Sequence, residues 1–441
     1  MIAKYNSFLR RMKDRGVFDL AYYMLGDLFI KGIMFLTLPI LTIFLSPAEY
    51  GKLSILATMI TIFAVIFSAN IENSVNNYYM RKHEGFGEFL YSNMIFSVFF
   101  QCFIFLLFIL FKKGISDFFK VNDTDVIFVG IVCMVVFYFN LYTLYLQGAQ
   151  KSKEFAVLTT CNKCIEISIL IFLAYFLSEN KSLSKVYSQI IAVLIFLPYT
   201  IYKLKSLWVP TFNWKYVKIS LIFSIPLIPH VLSNTILSQS DRIMINDMLG
   251  SEQTGLYSFA YNLGISILVI ISAWNSMWQP RFYALYKDEN KEEIDRLIIY
   301  YSKIISVFAI AAILLTGPIV KFFIRSEYLG SISIIPIIIA SNTLLFQYYI
   351  FVNYAFYHRK SYIISLSTAL AAAFNIGFNF IFIPMYGTMG AAYVTFCSYC
   401  LLILIHYFNA KRLSSTPIAS FWLSMKWTIP VYIITAVFTC I

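Results

Sequence analysis

The chain has 441 residues, of which 60% are hydrophobic and 13% charged. A soluble domain carries about 25% charge, so this chain has too little polar surface to cover a water-facing fold, and its solvent must be lipid. The net charge of +12 would suit a nucleic-acid binder, but the basic residues sit in short segments between apolar runs, where membrane topology accounts for them and nucleic acid is not an expected partner.

A helix needs roughly 20 apolar residues to cross the hydrocarbon. Residues 1–16 carry Lys4, Arg10, Arg11, Lys13 and Arg15 ahead of a first run at 17–45. That run is too long for the core of a cleavable signal, so the basic N-terminus is expected to stay in the cytoplasm. Further runs follow at 52–78, 88–111, 125–147, 155–177, 183–204, 217–246, 254–280, 297–323, 331–356, 361–383, 388–409 and 418–441. The connections are short and leave no room for a soluble domain. The longest, 281–296, reads as a polar loop. The thirteenth run holds Lys426 and Pro430, and either crosses or lies partly in the interface.

With the N-terminus inside, the inner loops hold 21 basic residues and the outer loops and their edges 8, the bias expected of a cytoplasmic N-terminus. The seven cysteines fall inside apolar runs. Two CxxC pairs, Cys161/Cys164 and Cys397/Cys400, are read as small packing residues in lipid, with no metal centre expected.

The stretch from Pro226 to Pro280 resembles an earlier one. Shifted by 204 positions, Leu45, Gly51, Ser54, Val65, Ile66, Ser68, Ala69 and Tyr79 recur as Leu249, Gly255, Ser258, Val269, Ile270, Ser272, Ala273 and Tyr283. The chain therefore divides into a basic N-terminus (1–16), an N-lobe (17–204), a cytoplasmic linker (205–216), a C-lobe (217–409) and an extra hydrophobic segment (410–441). An even number of spans per half makes the repeat parallel, its axis along the membrane normal and a cavity expected between the halves.

Leu38-Pro39, Leu45-Ser46-Pro47-Ala48-Glu49-Tyr50-Gly51, Leu146-Gln147-Gly148, Ser240-Asp241-Arg242, Gly255-Leu256-Tyr257, and Tyr386-Gly387 followed by Gly390-Ala391-Ala392 together resemble the Wzx-type flippases of bacterial polysaccharide pathways. The resemblance covers about 17–409. It implies an all-α integral membrane fold shared with the multidrug and toxic-compound extruders (MATE) and the lipid II flippases. That fold has two six-helix bundles related by a pseudo-twofold along the membrane normal, here with one C-terminal hydrophobic segment, for 12–14 transmembrane helices. It also implies a transporter of the bacterial inner membrane rather than an enzyme. The cargo would be an oligosaccharide repeat unit of O-antigen, capsule or exopolysaccharide on undecaprenyl diphosphate. It would be moved from the cytoplasmic to the outer leaflet by alternating access, among membrane lipids, and passed to a polysaccharide polymerase with its chain-length regulator. Two other readings compete: a cation-coupled drug extruder of the same fold, and a membrane polymerase or glycosyltransferase. Acidic cavity residues would favour the first. The second needs a sizeable outer loop with catalytic groups, and the longest, 112–125, offers none.

A diphosphate calls for fixed cations, and charged groups inside spans are expensive unless they function. Lys31, mid-span with Asp27 one turn before it, is the first candidate for the phosphate, followed by Arg242 and Lys163. Lys303 is expected to snorkel. The intramembrane carboxylates Asp27, Glu72, Glu166 and Asp241 are the candidates for gating and for coupling to H⁺ or Na⁺, with no other cofactor expected.

Overall fold

The computed structural model describes residues 15–81 and 83–440; the side chains of residues 15–25, Asp27 and Cys440 lie outside the description. Among the described residues every regular element is a helix. The helices are α1 (Arg15–Phe44), α2 (Pro47–Ser68), α3 (Ile71–Met80), α4 (Phe86–Leu110), α5 (Lys112–Phe119), α6 (Asp123–Gly148), α7 (Ser152–Phe176) and α8 (Ser184–Lys205). After the linker come α9 (Trp214–Ser224), α10 (Ile228–Leu249), α11 (Ser251–Gly264), α12 (Ser266–Lys287), α13 (Lys291–Phe323), α14 (Ile335–Tyr357), α15 (Ser361–Leu413), α16 (Phe421–Lys426) and α17 (Ile429–Cys440).

Each apolar run has its helical counterpart, and several are broken. The run 52–78 is α2 and α3, interrupted at Ala69 and Asn70, which both adopt positive φ (45° and 57°). The run 217–246 is α9 and α10, parted by a short turn, Ile225–Leu227, that contains Pro226. The runs 361–383 and 388–409 form one hairpin, α15, which turns at Gly387 (φ 61°). Its limbs are antiparallel, since Asn409 donates to Ser367 (3.1 Å) across them. The polar segment 281–296, expected as a loop, is mostly helical. α12 runs on to Lys287 and α13 begins at Lys291, capped by the Asn290 side chain accepting from the Glu293 backbone N–H (3.1 Å). Polar composition there marks helix ends that leave the hydrocarbon, not an absence of helix. The segment 112–125, expected as an outer loop, likewise holds α5.

The chain forms two compact units. One comprises residues 56–232 with the start of α1 as far as Thr37; the other comprises residues 38–55 and 233–441. The segment 38–55, from the first sequence half, thus packs within the second unit. In the first unit, Phe89, Phe137, Tyr142, Tyr145, Leu146 and Leu204 are core residues. The linker is fixed to this unit: Ser92 Oγ donates to the Thr211 carbonyl (3.3 Å) and accepts from Asn213 N–H (2.9 Å).

In the second unit, Ser46-Pro47-Ala48-Glu49 starts α2 as a capping box. The Glu49 carboxylate accepts from Ser46 N–H (2.9 Å), the Glu49 N–H donates to Ser46 Oγ (3.3 Å), and proline takes the first helical position. One turn on, Gly51 lets α2 cross α11 backbone to backbone. A Cβ on Gly51 would collide with the Ser251 carbonyl, and a Cβ on Gly255 would collide with the Pro47 carbonyl. Ser54 Oγ donates to Ser258 Oγ across the same crossing (2.8 Å). Gly51 with Gly255, Ser54 with Ser258 and Pro47 with Ser251 all differ by 204, so the repeat read from the sequence appears as a local twofold contact. Tyr50 closes it, ring to ring with Phe259 (6.3 Å) and Tyr328 (6.1 Å).

The thirteenth segment lies along α14 over its whole length. Ala419 N–H donates to Tyr354 Oη (2.9 Å), Gln347 Nε2 donates to Thr428 Oγ1 (2.9 Å), and Thr435 Oγ1 donates to the Pro336 carbonyl (3.5 Å). From Tyr354 to Pro336 is about 27 Å of helix at 1.5 Å per residue, the thickness of the hydrocarbon. The segment therefore runs antiparallel to α14 over the length of a membrane span, with Thr435 level with the start of α14.

Candidate functional site

Adjacent residues on a helix point about 100° apart, so Asp241 and Arg242 of α10 cannot serve the same partners. Asp241 is 2% exposed. Its Oδ2 accepts from the Tyr257 hydroxyl (2.6 Å) and the Thr395 hydroxyl (2.6 Å), and its Oδ1 from Asn379 Nδ2 (2.7 Å). Asn375 lies beside them: its Oδ1 accepts from Ser240 Oγ (3.1 Å) and from Asn379 Nδ2 (3.0 Å). The partners are hydroxyls and amides from α11 and both limbs of α15. The Asn379 Oδ1 is buried and has no hydrogen-bond partner. A carboxylate among neutral oxygens, with one amide oxygen unspent, can take up a proton or a hard monovalent cation.

Arg242 is also buried (7% exposed) and also lacks a countercharge among the partners described. Its guanidinium lies over the Tyr261 ring (5.0 Å), Nη2 donates to Asn262 Oδ1 (3.3 Å), and Nε has no partner. Asn262 in turn donates to Tyr50 Oη (2.8 Å). The unit thus carries one buried negative and one buried positive group side by side, each held by neutral dipoles rather than by the other. Such charges are costly, and stay available to an outside partner.

The first unit solves the problem differently. Glu166, 4% exposed, sits between two ammonium groups, Lys163 Nζ at 2.7 Å and Lys185 Nζ at 2.5 Å. The triad carries a net single positive charge. Lys185, read from the sequence as an outer-loop residue, reaches back from α8 to complete it. Glu72 stands in the first turn of α3, just after the Ala69–Asn70 break. Its Oε2, the Asn70 Nδ2 and the Asn76 Oδ1 are buried without partners. Lys31 is half-buried in α1, and its nearest neighbours on that helix face, Leu28, Met34 and Phe35, are exposed. The side chain of Asp27, its expected partner, lies outside the described residues. Lys303 lies over the Trp427 ring (4.3 Å), at the thirteenth segment.

The structure therefore groups Lys163 with Glu166 and places Asp241 beside Arg242 in separate environments; Glu72 belongs to neither set. Sequence reasoning missed Lys185, Tyr257, Asn375, Asn379 and Thr395. A usable signal existed for two of them. Asn375 and Asn379 are amides one turn apart inside an otherwise apolar span, an expensive pair that demands a shared partner.

A family model described as polysaccharide biosynthesis protein matches residues 17–286. A Haemophilus influenzae protein of the Lsg locus is 24% identical over 425 residues, covering 90% of this chain and 98% of that relative. Two solved structures share the fold. The lipid II flippase MurJ, in an inward closed conformation, superposes with a TM-score of 0.68 at 14% identity, over 94% of this chain and 97% of that one. An inward-facing multidrug resistance MATE transporter of the MOP superfamily superposes at 0.67 and 13% identity, over 89% of this chain and 99% of that one. At these identities the structures speak for the fold alone: this is an all-helical membrane protein of the MATE and MurJ type.

Proposed function

This chain belongs to the polysaccharide biosynthesis protein family, and from that premise we propose that it carries undecaprenyl-diphosphate-linked oligosaccharide repeat units from the cytoplasmic to the outer leaflet. It is a multi-pass membrane transporter, a lipid-linked polysaccharide flippase of the Wzx type, and not an enzyme. The observation that carries the reading is the family match over residues 17–286. The charge pattern supports the finer part. The Lys163–Glu166–Lys185 triad is net positive, and Arg242 has neutral partners only. Both fit an anionic head group better than a cationic drug. Lys31, Arg242 and Lys163 are the phosphate ligands in this reading. The N-terminus is cytoplasmic, the membrane is the bacterial inner membrane, and the repeat unit passes to a polymerase with its chain-length regulator.

Transport proceeds by alternating access, coupled to H⁺ or Na⁺ at Asp241. Loading that carboxylate replaces the hydrogen bonds that tie α10 to α11 and α15, so occupancy and helix packing change together. Glu72, Glu166 and Asp27 are gating groups of the first half, with Glu166 already committed to two lysines.

The test is complementation of a strain lacking this protein. Lys31→Ala should insert normally and restore no surface polysaccharide, while lipid-linked repeat units accumulate on the cytoplasmic side. Full restoration by that variant rejects the phosphate role, and normal surface polysaccharide in the deletion strain rejects the transport reading.

A further inference from the structure

α12 has two unlike faces. On one, Trp274, Trp278, Phe282 and Tyr286 recur every fourth residue and are all buried, their rings meeting at 5.6, 5.8 and 5.5 Å along the ladder. This is the packed face. The other carries Asn275, Ser276, Gln279 and Tyr283, which are half-buried or exposed. The charges nearby lie outside the group: Lys287, one turn beyond Tyr283 at the C-terminal end of α12, is exposed, and Arg281 is held by Glu293 (3.3 Å).

Several polar groups on that face have capacity left over. Pro280 has no N–H, so the Ser276 carbonyl one turn back loses its helical donor. Gln279 Nε2 donates to Tyr283 Oη (2.9 Å), which leaves the phenol proton free to donate outward. Asn353, 0% exposed, donates Nδ2 to Asn275 Oδ1 (3.3 Å), and its own Oδ1 is buried without a partner. Tyr283 stands edge to face with Tyr357 (5.5 Å), which adds an aromatic wall. Donors, acceptors and a ring, all neutral, are what a sugar needs: paired hydroxyls for the amide and phenol, and an apolar C–H face for the ring.

We propose that Asn275, Ser276, Gln279 and Tyr283 form a carbohydrate-recognition face that reads the glycan head of the cargo, separate from the cations that hold its diphosphate. The assignment rests on the reading that the cargo is a lipid-linked oligosaccharide. The four side chains are uncharged, as the glycan is.

Binding to the full-length protein in nanodiscs separates the two claims. The probes are bare undecaprenyl diphosphate and the same carrier bearing the glycan made by the native cell, extracted from the deletion strain. The native protein should bind both, the glycosylated carrier more tightly. Gln279→Leu with Tyr283→Phe should weaken the glycosylated carrier about tenfold, two hydrogen bonds' worth, and leave the bare carrier unchanged. Equal affinities of variant and native protein for the glycosylated carrier overturn the recognition face, and so does an equal loss for both carriers. Failure of the native protein to bind either carrier removes the transport reading instead. Should the double variant unfold, Tyr283→Phe alone, which removes only the phenol hydroxyl, reads the same difference between carriers.

Discussion

Gly51→Ala tests whether the α2–α11 crossing holds the second unit together. The added Cβ would fall on the Ser251 carbonyl, and the reciprocal Cβ on Gly255 would fall on the Pro47 carbonyl. Both obstacles are backbone, so no side chain can turn aside. Overpacking of this kind costs about 1–3 kcal/mol, and rigid obstacles put it at the upper end. Parting the helices also breaks the Ser54–Ser258 hydrogen bond (2.8 Å), worth about 1 kcal/mol. Alanine returns about 1 kcal/mol of helix propensity, for a net loss of about 3 kcal/mol. Gly377, in α15, has no atom within 4 Å of the position its Cβ would take. Gly377→Ala should therefore be neutral or stabilising by up to about 1 kcal/mol. Thermal unfolding of the detergent-solubilised variants measures both. The double variant Gly51→Ala, Gly255→Ala should cost less than the sum of the singles, because one separation relieves both clashes. Equal midpoints for the Gly51 and Gly377 variants, or strict additivity in the double, would refute the crossing as drawn.

Glu166→Gln leaves two ammonium groups facing each other without their shared anion. It should destabilise by about 3 kcal/mol, the lower end for a broken buried pair, since Lys163 and Lys185 keep 25% and 20% side-chain exposure; Lys185→Met, which leaves one pair intact, should cost less in the same melt. If Asp241 holds the coupling ion, replacing choline with sodium should raise the melting temperature of the native protein, by an amount equivalent to about 2.7 kcal/mol at a hundred times the dissociation constant. Asp241→Asn should abolish that response, and a response unchanged in the variant would move the ion elsewhere; a proton in its place would show as a pH-dependent rather than sodium-dependent midpoint. A periplasmic-activity reporter fused after Cys440 should be active and one fused after Leu413 inactive, and the same state at both would return the thirteenth segment to the interface.

The helical plan was readable because lipid imposes a length and a composition on anything that crosses it. Even the repeat was readable, and Gly51 with Gly255 and Ser54 with Ser258 turned out to touch. A break was readable between the runs 361–383 and 388–409, where the chain turns at Gly387. The break at Ala69–Asn70 was not, since alanine gives no warning of positive φ. Partnerships across helices were the least legible. Asp241 was visible as a cost, but its ligands come from residues 16, 138 and 154 positions away, and one sequence carries no record of which spans lie side by side. The Lys185 reach to Glu166 was hidden for the same reason: a lysine at a span's edge looks like a topology signal until its neighbour is known.

A contact in which each residue meets its own counterpart is isologous, the geometry that joins two copies of one protein. In a homodimer of identical six-helix chains, any substitution at such a contact would occur twice and at the same spot, so only residues tolerable in duplicate could stand there. Fusion into one polypeptide lifts that restriction for every position off the axis. Tyr50 shows the freedom used: its counterpart 204 residues on is Thr254, and the ring that Tyr50 lays against Tyr328 has no mirror image. The two copies of the motif can therefore specialise while the glycines and serines on the axis keep α2 and α11 in register.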